Sequence, residues 1–280
     1  MSAIRLSFET FPPKHATGHG KYLEMLNTFQ KYSPMFQSMT YGAGASDRSR
    51  SEQLVAKSAQ SIGGRQFVPH LAGGGQDKER IKALVSEWWD NDVRHIVALR
   101  GDEAGKGEIK CAADVVATIR EVNSFEISVA GYPEIHPKSA SQEAELTHLK
   151  SKVEAGASRV LTQFFFDADV FLKYRDKCDA LGMDVKIVPG ILPISSLVQV
   201  QRFAKQCAAT VPDFIIDRFS GLEDQPEATA AVAVTTVVEL VERLNKEGVK
   251  DFHLYTLNNV PRTLAICHSL GIYPEQKLAA

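Results

Sequence analysis

The sequence predicts a single (βα)8 TIM barrel, an α/β fold in which residues 1–280 form one domain. Strand-like apolar runs alternate with helix-like segments along the whole chain, and the alternation repeats eight times. No linker divides the chain, and 280 residues is a usual length for one such barrel. Because eight right-handed strand–helix–strand steps fill one ring, a closed parallel barrel is favoured over an open sheet.

The first half of the chain contains four strand-like segments. We predict strands over residues 4–11, 36–41, 67–71 and 95–99. Pro12 and Pro13 end the first strand, and glycine-containing turns follow the other three. A helix with apolar residues at helical spacing follows each strand; the first covers residues 21–31, and Ser46 or Asp47 is a candidate cap for the second.

The second half of the chain predicts the remaining four strands, over residues 126–130, 158–165, 185–191 and 252–257. Asp167 is a candidate cap for the helix after the sixth strand. A longer insertion follows the seventh strand and reaches Gly221. A helix over residues 227–246 then ends near Gly248, and a last helix follows the eighth strand.

The composition excludes several classes of partner. A formal net charge of −2, with acidic and basic residues mixed, gives no footprint for nucleic acid or an anionic membrane surface. The longest apolar stretch, residues 230–241, is interrupted by polar residues and is too short to cross a bilayer. The N-terminal residues lack a signal-peptide pattern, so we expect a cytoplasmic protein that binds neither nucleic acid nor membranes.

Cysteine, histidine and glycine patterns predict neither a metal site nor a dinucleotide fold. The four cysteines are scattered without a Cys-x-x-Cys pair, which is typical of buried, inert thiols; they are Cys111, Cys178, Cys207 and Cys267. His15 and His19 lack carboxylates at ligand spacing. The glycines at 73–75 and 101–107 fit neither a dinucleotide fingerprint nor a P-loop, so both stretches are predicted to be turns.

Polar residues lie at or near the ends of the predicted strands, where a barrel of this kind carries its active site. They are Glu9, Thr40, His70, Asp102, Tyr132, Gln163 and Thr256. Taken singly, the threonines, the histidine and the tyrosine are explained as satisfied strand, core or rim residues. Glu9 and Asp102 are different, because a carboxylate at the tip of a buried strand is costly unless it is used in a site.

The strand ends also carry a recognisable set of motifs. They are SFETFPPK at 7–14, TYGA at 40–43, PHL at 69–71, LRGD at 99–102, YPEIHP at 132–137, LTQFFFD at 161–167, PGILP at 189–193 and FHLYTLN at 252–258. In this order and number they resemble the methylenetetrahydrofolate reductases of bacterial type, over the catalytic domain. The resemblance covers nearly the whole chain.

The resemblance implies an FAD-dependent enzyme of one-carbon metabolism and methionine biosynthesis, and a homo-oligomer. Members of the family take hydride from NADH or NADPH onto FAD and pass it to 5,10-methylenetetrahydrofolate, giving 5-methyltetrahydrofolate. A ping-pong course is expected, in which each substrate stacks in turn on the flavin. The same chemistry can run as the reverse oxidation of 5-methyltetrahydrofolate.

The resemblance also implies roles for individual residues. Glu9 would be the general acid that helps to open the folate ring, and Asp102 would hold the pterin and lie near the flavin. Gln163 and Phe219 would contact substrate. Positions implied to contact FAD are Thr40, Tyr41, Ala43, His70, Arg100, Gly101, Asp102, Ala112, Tyr132, His136, Glu145 and Lys152. Arg100 and Lys152 suit the anionic pyrophosphate.

Several positions depart from the family pattern. Glu145 stands where bacterial relatives often have Asp, and Ser139, His148 and Ser151 replace other residues that line FAD. Asp217 occupies an expected Gln position. Asn259 replaces an arginine that pairs with the folate glutamate tail, and we expect Arg262, one helical turn further on, to substitute for it.

Two other functions would make different demands on the same barrel. A phosphate-binding isomerase or aldolase would need a lysine or a glycine-rich loop after the last two strands, and residues 189–190 and 258–259 do not resemble one. A flavin- or folate-binding protein without catalysis would have no use for a buried acid at Glu9. Bound flavin, and its bleaching by NAD(P)H, separates the three functions.

Overall fold

The computed structural model describes residues 3–41, 48–101 and 107–275, without the side chains of residues 49 and 50. Within these ranges eight parallel strands close into one barrel in the order in which they occur in the chain. The last strand pairs with the first, with Ser7 opposite His253 and Glu9 opposite Tyr255. The predicted (βα)8 barrel is therefore confirmed.

The strands are short and parallel. They are β1 Arg5–Thr10, β2 Gln37–Met39, β3 Phe67–Ala72, β4 His95–Leu99, β5 Glu126–Gly131, β6 Arg159–Phe164, β7 Lys186–Ile191 and β8 Asp251–Tyr255. The predicted second strand, residues 36–41, was too long by three residues. The eighth strand ends at Tyr255 rather than Leu257, because Leu257 and Asn258 have φ angles of 50° and 56° and leave the extended conformation.

Helices cover the outside of the barrel. They are α1 His19–Gln30, α2 Arg48–Ile62, α3 Lys78–Asp90, α4 Ala112–Arg120, α5 Gln142–Glu154, α6 Ala168–Ala180, α7 Leu197–Cys207, α8 Asp213–Phe219, α9 Pro226–Lys246 and α10 Val260–Ser269. The insertion after β7 forms α7 and α8. Asp167 caps α6 as predicted, since its carboxylate accepts from the Asp169 N–H at 2.9 Å. Ser46 and Asp47 lie outside the described residues.

In the part of the chain that the structure describes, the buried apolar side chains form three separate clusters. The largest lies between the strands and the outer helices. A small interior cluster fills the barrel itself and contains Phe36, Val68, Val97, Leu161 and Val188. The third, which we call the α7–α8 cluster, lies under the insertion and contains Phe164, Phe166, Leu192, Ile194, Val200, Ala204, Ile215, Phe219 and Ala233.

The four cysteines do not share one environment. Cys178 and Cys267 are buried, and burial raises the pKa of their thiols to about 11 and about 12. The expectation that all four are buried was wrong for Cys111, which is exposed at the N-cap of α4, and for Cys207, which is half-buried. Among the described residues, no cluster of three or more His, Cys, Asp or Glu side chains could hold a metal ion. No helix in the same ranges is long and apolar enough to cross a membrane.

Candidate active site

Glu9 lies at the carboxyl-terminal mouth of the barrel, on β1. Its neighbours Phe8 and Thr10 are buried on the outer side of the strand, where the Thr10 hydroxyl contacts the Tyr22 hydroxyl at 2.8 Å. Strand alternation therefore turns the Glu9 carboxylate to the barrel interior, with 14% of its side chain exposed. One carboxylate oxygen, Oε2, lies 3.6 Å from both His70 Nε2 and His253 Nε2.

The two histidines present different groups to Glu9. Burial lowers the pKa of His70 to about 4, against the opposing attraction of Glu9, so that this ring is neutral at pH 7. His253 Nδ1 lies 2.8 Å from Ser7 Oγ, whose hydroxyl donates to the Phe252 carbonyl oxygen at 3.3 Å. This network assigns the His253 proton to Nδ1 and leaves Nε2 as an acceptor that faces Glu9.

Tyr255 forms one wall beside Glu9 and His253. Its hydroxyl donates to the Thr162 carbonyl oxygen at 2.6 Å, and its ring lies edge-on to His253 at 5.5 Å. Burial, with a smaller contribution from Glu9, holds the pKa of Tyr255 well above its ordinary value. A Cβ at Gly190 would lie 2.7 Å from this ring and 2.1 Å from the Thr162 oxygen, so that only glycine leaves room for the contact.

The pairing of β6 with β7 is irregular between Leu161 and Phe164, at the position of Gln163. Gln163 Oε1 accepts the backbone N–H of Phe164 at 3.0 Å. No partner of its amide nitrogen was found among the described residues, and the side chain is half-exposed at the mouth. A register irregularity beside an active site re-aims a side chain, and this one leaves amide donors of Gln163 for a ligand.

A second group of polar residues lies around β5 and α5. The Tyr132 ring contacts the His136 ring edge-on at 4.6 Å. Lys152 is buried, donates from Nζ to the Ala130 carbonyl oxygen at 2.6 Å, and has its pKa lowered by burial to about 8. Glu145 is also buried and accepts a hydrogen bond from the Ser139 hydroxyl. His148 and Ser151, on the same helix, are exposed.

The remaining positions implied for FAD differ in what they offer. Thr40 Oγ1 is buried without a hydrogen-bond partner among the described residues. Tyr41 is buried in the main core, and its hydroxyl donates to Glu52 of α2. Gly101 has a φ of 81°, Arg100 is half-buried, and Ala112 is the first residue of α4. Ala43 and Asp102 lie outside the described residues.

Two substrate candidates lie on the insertion side of the mouth. Phe219 is only 2% exposed, in the α7–α8 cluster, so that its ring has no free face for a ligand in this structure. Asp217 is exposed. Arg262 is half-buried and donates from Nη1 to Ser195 Oγ at 2.6 Å, while its backbone N–H donates to the Asn259 side chain, which caps α10. Its buried Nε has no partner among the described residues.

Sequence reasoning missed Ser7, His253 and Tyr255 as site residues. All three lie in the quoted motifs at 7–14 and 252–258. The signal was available in the strand period, because residues two apart on a strand share a face. Ser7 shares the inward face with Glu9 on β1, and His253 shares it with Tyr255 on β8.

The fold and the site define a (βα)8 barrel of the kind that carries an active site at its mouth, with one carboxyl group there, two buried histidines beside it, and a second group of polar residues around β5 and α5. A family model for methylenetetrahydrofolate reductase matches residues 2–271. The chain belongs to the methylenetetrahydrofolate reductase family.

Curated relatives cover nearly the whole chain. The 5,10-methylenetetrahydrofolate reductase of Pectobacterium carotovorum subsp. carotovorum is 42% identical over 275 residues, 97% of this chain and 92% of that protein. The enzyme of the same name from Escherichia coli (strain K12) is 40% identical over 274 residues, with the same coverage. An Arabidopsis thaliana protein, methylenetetrahydrofolate reductase (NADH) 1, is 32% identical and matches over 49% of its own length.

Solved structures support the fold alone, because their sequence identity is low. A Clostridium thermocellum protein described as binding two copies of 5-methyl-5,6,7,8-tetrahydrofolic acid has a TM-score of 0.64 and 13% identity, covering 96% of this chain and 95% of that one. A dihydropteroate synthase from Xanthomonas albilineans has a TM-score of 0.51 and 14% identity, covering 97% and 92%.

Proposed function

We propose that this protein reduces 5,10-methylenetetrahydrofolate to 5-methyltetrahydrofolate with hydride from NAD(P)H, relayed through FAD in a ping-pong course, or catalyses the reverse oxidation. The observation that carries the proposal is the inward-facing Glu9 carboxyl between two histidine nitrogens, in a chain of this family. A barrel that only bound a flavin or a folate would not need an acid there.

The described residues fit FAD. Thr40 Oγ1 and His70 Nε2 are buried polar atoms without hydrogen-bond partners in the described ranges, so a polar ligand at the mouth would satisfy them. Lys152 and Arg100 would bind the pyrophosphate, with Tyr132 and His136 beside it. Bound FAD supplies the hydride-carrying chemistry, accepting two electrons from NAD(P)H and delivering them to the folate.

Glu145 is the departure that most affects cofactor binding. The Ser139 hydroxyl already occupies one oxygen of this carboxylate, Oε2, and thereby fixes the longer side chain. The other oxygen is left for a hydroxyl donor of the cofactor. A serine–glutamate pair would then do what a shorter aspartate does in bacterial relatives.

Glu9 would move one proton. Because the product carries its methyl group on N5, the bond that breaks joins the bridging carbon to N10, and N10 must receive a proton. The Glu9 carboxyl would donate it, while Gln163 would orient the pterin through its amide. The Nε2 acceptor of His253 would hold the Glu9 proton in place before transfer. Asp102 keeps its proposed place beside the pterin and flavin.

Arg262 would bind the glutamate tail of the folate. Asn259, which replaces the usual arginine, caps α10 and holds the backbone of Arg262, while Ser195 orients its guanidinium. The Arg262→Ala variant should raise the KM for folate about tenfold, with the KM for NADH unchanged. An unchanged folate KM would rule out this role.

The proposed function is tested by two half-reactions measured anaerobically in the FAD-loaded protein. NADH or NADPH should bleach the flavin, and 5,10-methylenetetrahydrofolate should restore its absorbance. Glu9→Gln should keep the first rate within about twofold and lower the second by about a hundredfold or more. Protein that binds no FAD would favour an isomerase, and flavin that NAD(P)H cannot bleach would favour a binding protein without catalysis.

A further inference from the structure

Phe36 lies in the barrel interior, directly before β2, and is 2% exposed. Its ring stacks on His253 with centroids 5.6 Å apart and an angle of 28°. On another side, the His95 ring meets it edge-on at 4.8 Å. The Arg159 guanidinium carbon lies 5.2 Å from the ring centroid. Side chains from β4, β6 and β8 therefore meet around one phenyl ring.

The side chains that contact Phe36 form a column through the barrel, from Arg159 and His95 at the amino-terminal face to His253 near the mouth. The amino-terminal end of this column is a polar cluster. Arg159 forms an ion pair with Glu126. Its Nη1 also lies 3.4 Å from the His95 ring nitrogens, and His95 Nε2 contacts the Ser128 hydroxyl at 2.7 Å. A guanidinium held over a phenyl face is attracted to the ring, so Arg159 restricts the tilt of the Phe36 ring.

The upper end of the column is His253. Ser7 fixes rotation of the imidazole through Nδ1, Tyr255 bounds one side of it, and Phe36 bounds its face. If Phe36 were replaced by an aliphatic residue, the imidazole could tilt into the interior and Nε2 would move away from Glu9. The other members of the interior cluster, such as Val188, are aliphatic and cannot stack on the ring.

We propose that Phe36 is a positioning residue, which ties the orientation of His253, and through it the Glu9 carboxyl, to the Arg159–Glu126 pair at the opposite face of the barrel. The inference rests on the proposed function, because it assigns Phe36 to the proton transfer from Glu9. Under this proposal Phe36 affects the folate half-reaction, although it does not itself contact a substrate. Displacement of a reacting group by about 1 Å can cost about a hundredfold in rate.

The test compares Phe36→Leu with Val188→Ala, a variant in the same interior cluster that leaves the ring contacts intact. Phe36→Leu should slow the reaction of reduced enzyme with 5,10-methylenetetrahydrofolate by about tenfold or more and leave flavin reduction by NADH within about twofold. Val188→Ala should leave both rates near those of the wild type. Equal losses in the two variants would reduce the effect to packing and overturn the proposal.

A second measurement does not depend on activity. Ring-nitrogen NMR shifts of His253, assigned with a His253→Gln variant, should show one tautomer in the wild type and in Val188→Ala, and an averaged pair in Phe36→Leu or, should that variant not fold, Phe36→Met. A single tautomer together with wild-type rates in the Phe36 variant overturns the proposal. Failure of the wild type to pass electrons to the folate would instead count against the proposed function, while the NMR result still tests Phe36.

Discussion

His253 Nε2 lies 3.6 Å from Glu9 Oε2 at the mouth of the barrel. A small movement of either side chain would bring the two atoms within hydrogen-bond distance. The Ser7 hydroxyl sets the tautomer of this imidazole from the other side, at 2.8 Å from Nδ1. The Glu9 carboxyl therefore has the acceptor nitrogen of His253 on one side and His70 Nε2, also at 3.6 Å, on the other. This arrangement suits the proposed role of Glu9 as the group that gives a proton to a substrate nitrogen.

Replacing Ser7 with Ala removes the acceptor for the His253 Nδ1 proton and releases the tautomer. We expect the folate half-reaction to slow by about tenfold, because a hydrogen bond of this kind is worth about 1 kcal/mol or somewhat more. Flavin reduction by NADH should stay within about twofold, as measured by stopped-flow absorbance. Ser38→Ala is the matched control, since Ser38 is buried on the adjacent strand and its hydroxyl has no partner in the described ranges; equal effects in both variants would contradict the assignment.

FAD affinity should depend on pH through Lys152. Its pKa in the free protein is lowered by burial to about 8, whereas an anionic pyrophosphate would keep it protonated in the complex. Above pH 8, FAD binding would therefore be accompanied by proton uptake at Lys152. The dissociation constant for FAD should rise there by up to about tenfold per pH unit. Lys152→Met should bind FAD more weakly, with a flatter pH dependence.

Lys150→Met is the control for the lysine experiment, because Lys150 lies on the same helix and is exposed. Quenching of flavin fluorescence measures both dissociation constants. Lys150→Met should follow the wild-type pH curve. A wild-type curve without a rise above pH 8 would exclude Lys152 from the pyrophosphate site.

The stability of the fold should fall in acid because of His70. Its pKa is about 4 in the folded chain and 6.5 without burial, so the unfolded chain binds more protons between these values. This contribution is complete above pH 6.5 and is lost as the pH falls toward 4, by up to about 1.4 kcal/mol per pH unit. Urea unfolding across this range should show a smaller slope in His70→Gln.

The difference between the pH slopes of the wild type and of His70→Gln gives the contribution of His70 to stability. Burial lowers the pKa of His95 in both proteins, so its contribution cancels. Val68→Ala serves as the comparison: it weakens the barrel interior without removing an ionisable group. It should lower stability by a similar amount at every pH. A His70→Gln slope equal to that of the wild type would mean that His70 is not buried as described.

Gly190 should not tolerate a side chain. A methyl group there would overlap the Thr162 carbonyl oxygen, which accepts the Tyr255 hydroxyl, so Gly190→Ala should lose at least about 3 kcal/mol of stability. Gly20→Ala is the opposite case, because nothing lies within 4 Å of its added carbon and the site is in α1. It should gain up to about 1 kcal/mol from helix propensity. Thermal melting distinguishes the two, and equal melting temperatures would contradict the geometry.

The sequence predicted the barrel because its period is local: each strand is a short apolar run, and each helix repeats its apolar residues at helical spacing. Glu9 could be found for the same reason. A carboxylate inside an apolar strand points either to the outer side, under the helices, or to the barrel interior. On the outer side its charge would be buried among apolar residues.

Contacts between elements that are distant in the sequence could not be predicted from this local periodicity. Tyr41 turns to Glu52 of α2, and Phe219 packs under the insertion, although the family resemblance implies a ligand contact for both. Gln163 gains its direction from a register irregularity between β6 and β7, which depends on how the closed ring accommodates Gly190 and Thr162. Such properties belong to the assembled barrel rather than to any one stretch.

The α7–α8 cluster has an evolutionary consequence. It is separate from the main core, yet Tyr255 and Leu257 at the mouth pack against it. Because energetically independent regions respond nearly additively to substitution, lineages can exchange residues in this cluster while the ring of strands stays intact. Substitutions in that segment would then reshape the packing of Tyr255 and Leu257 at the mouth long before they threaten folding.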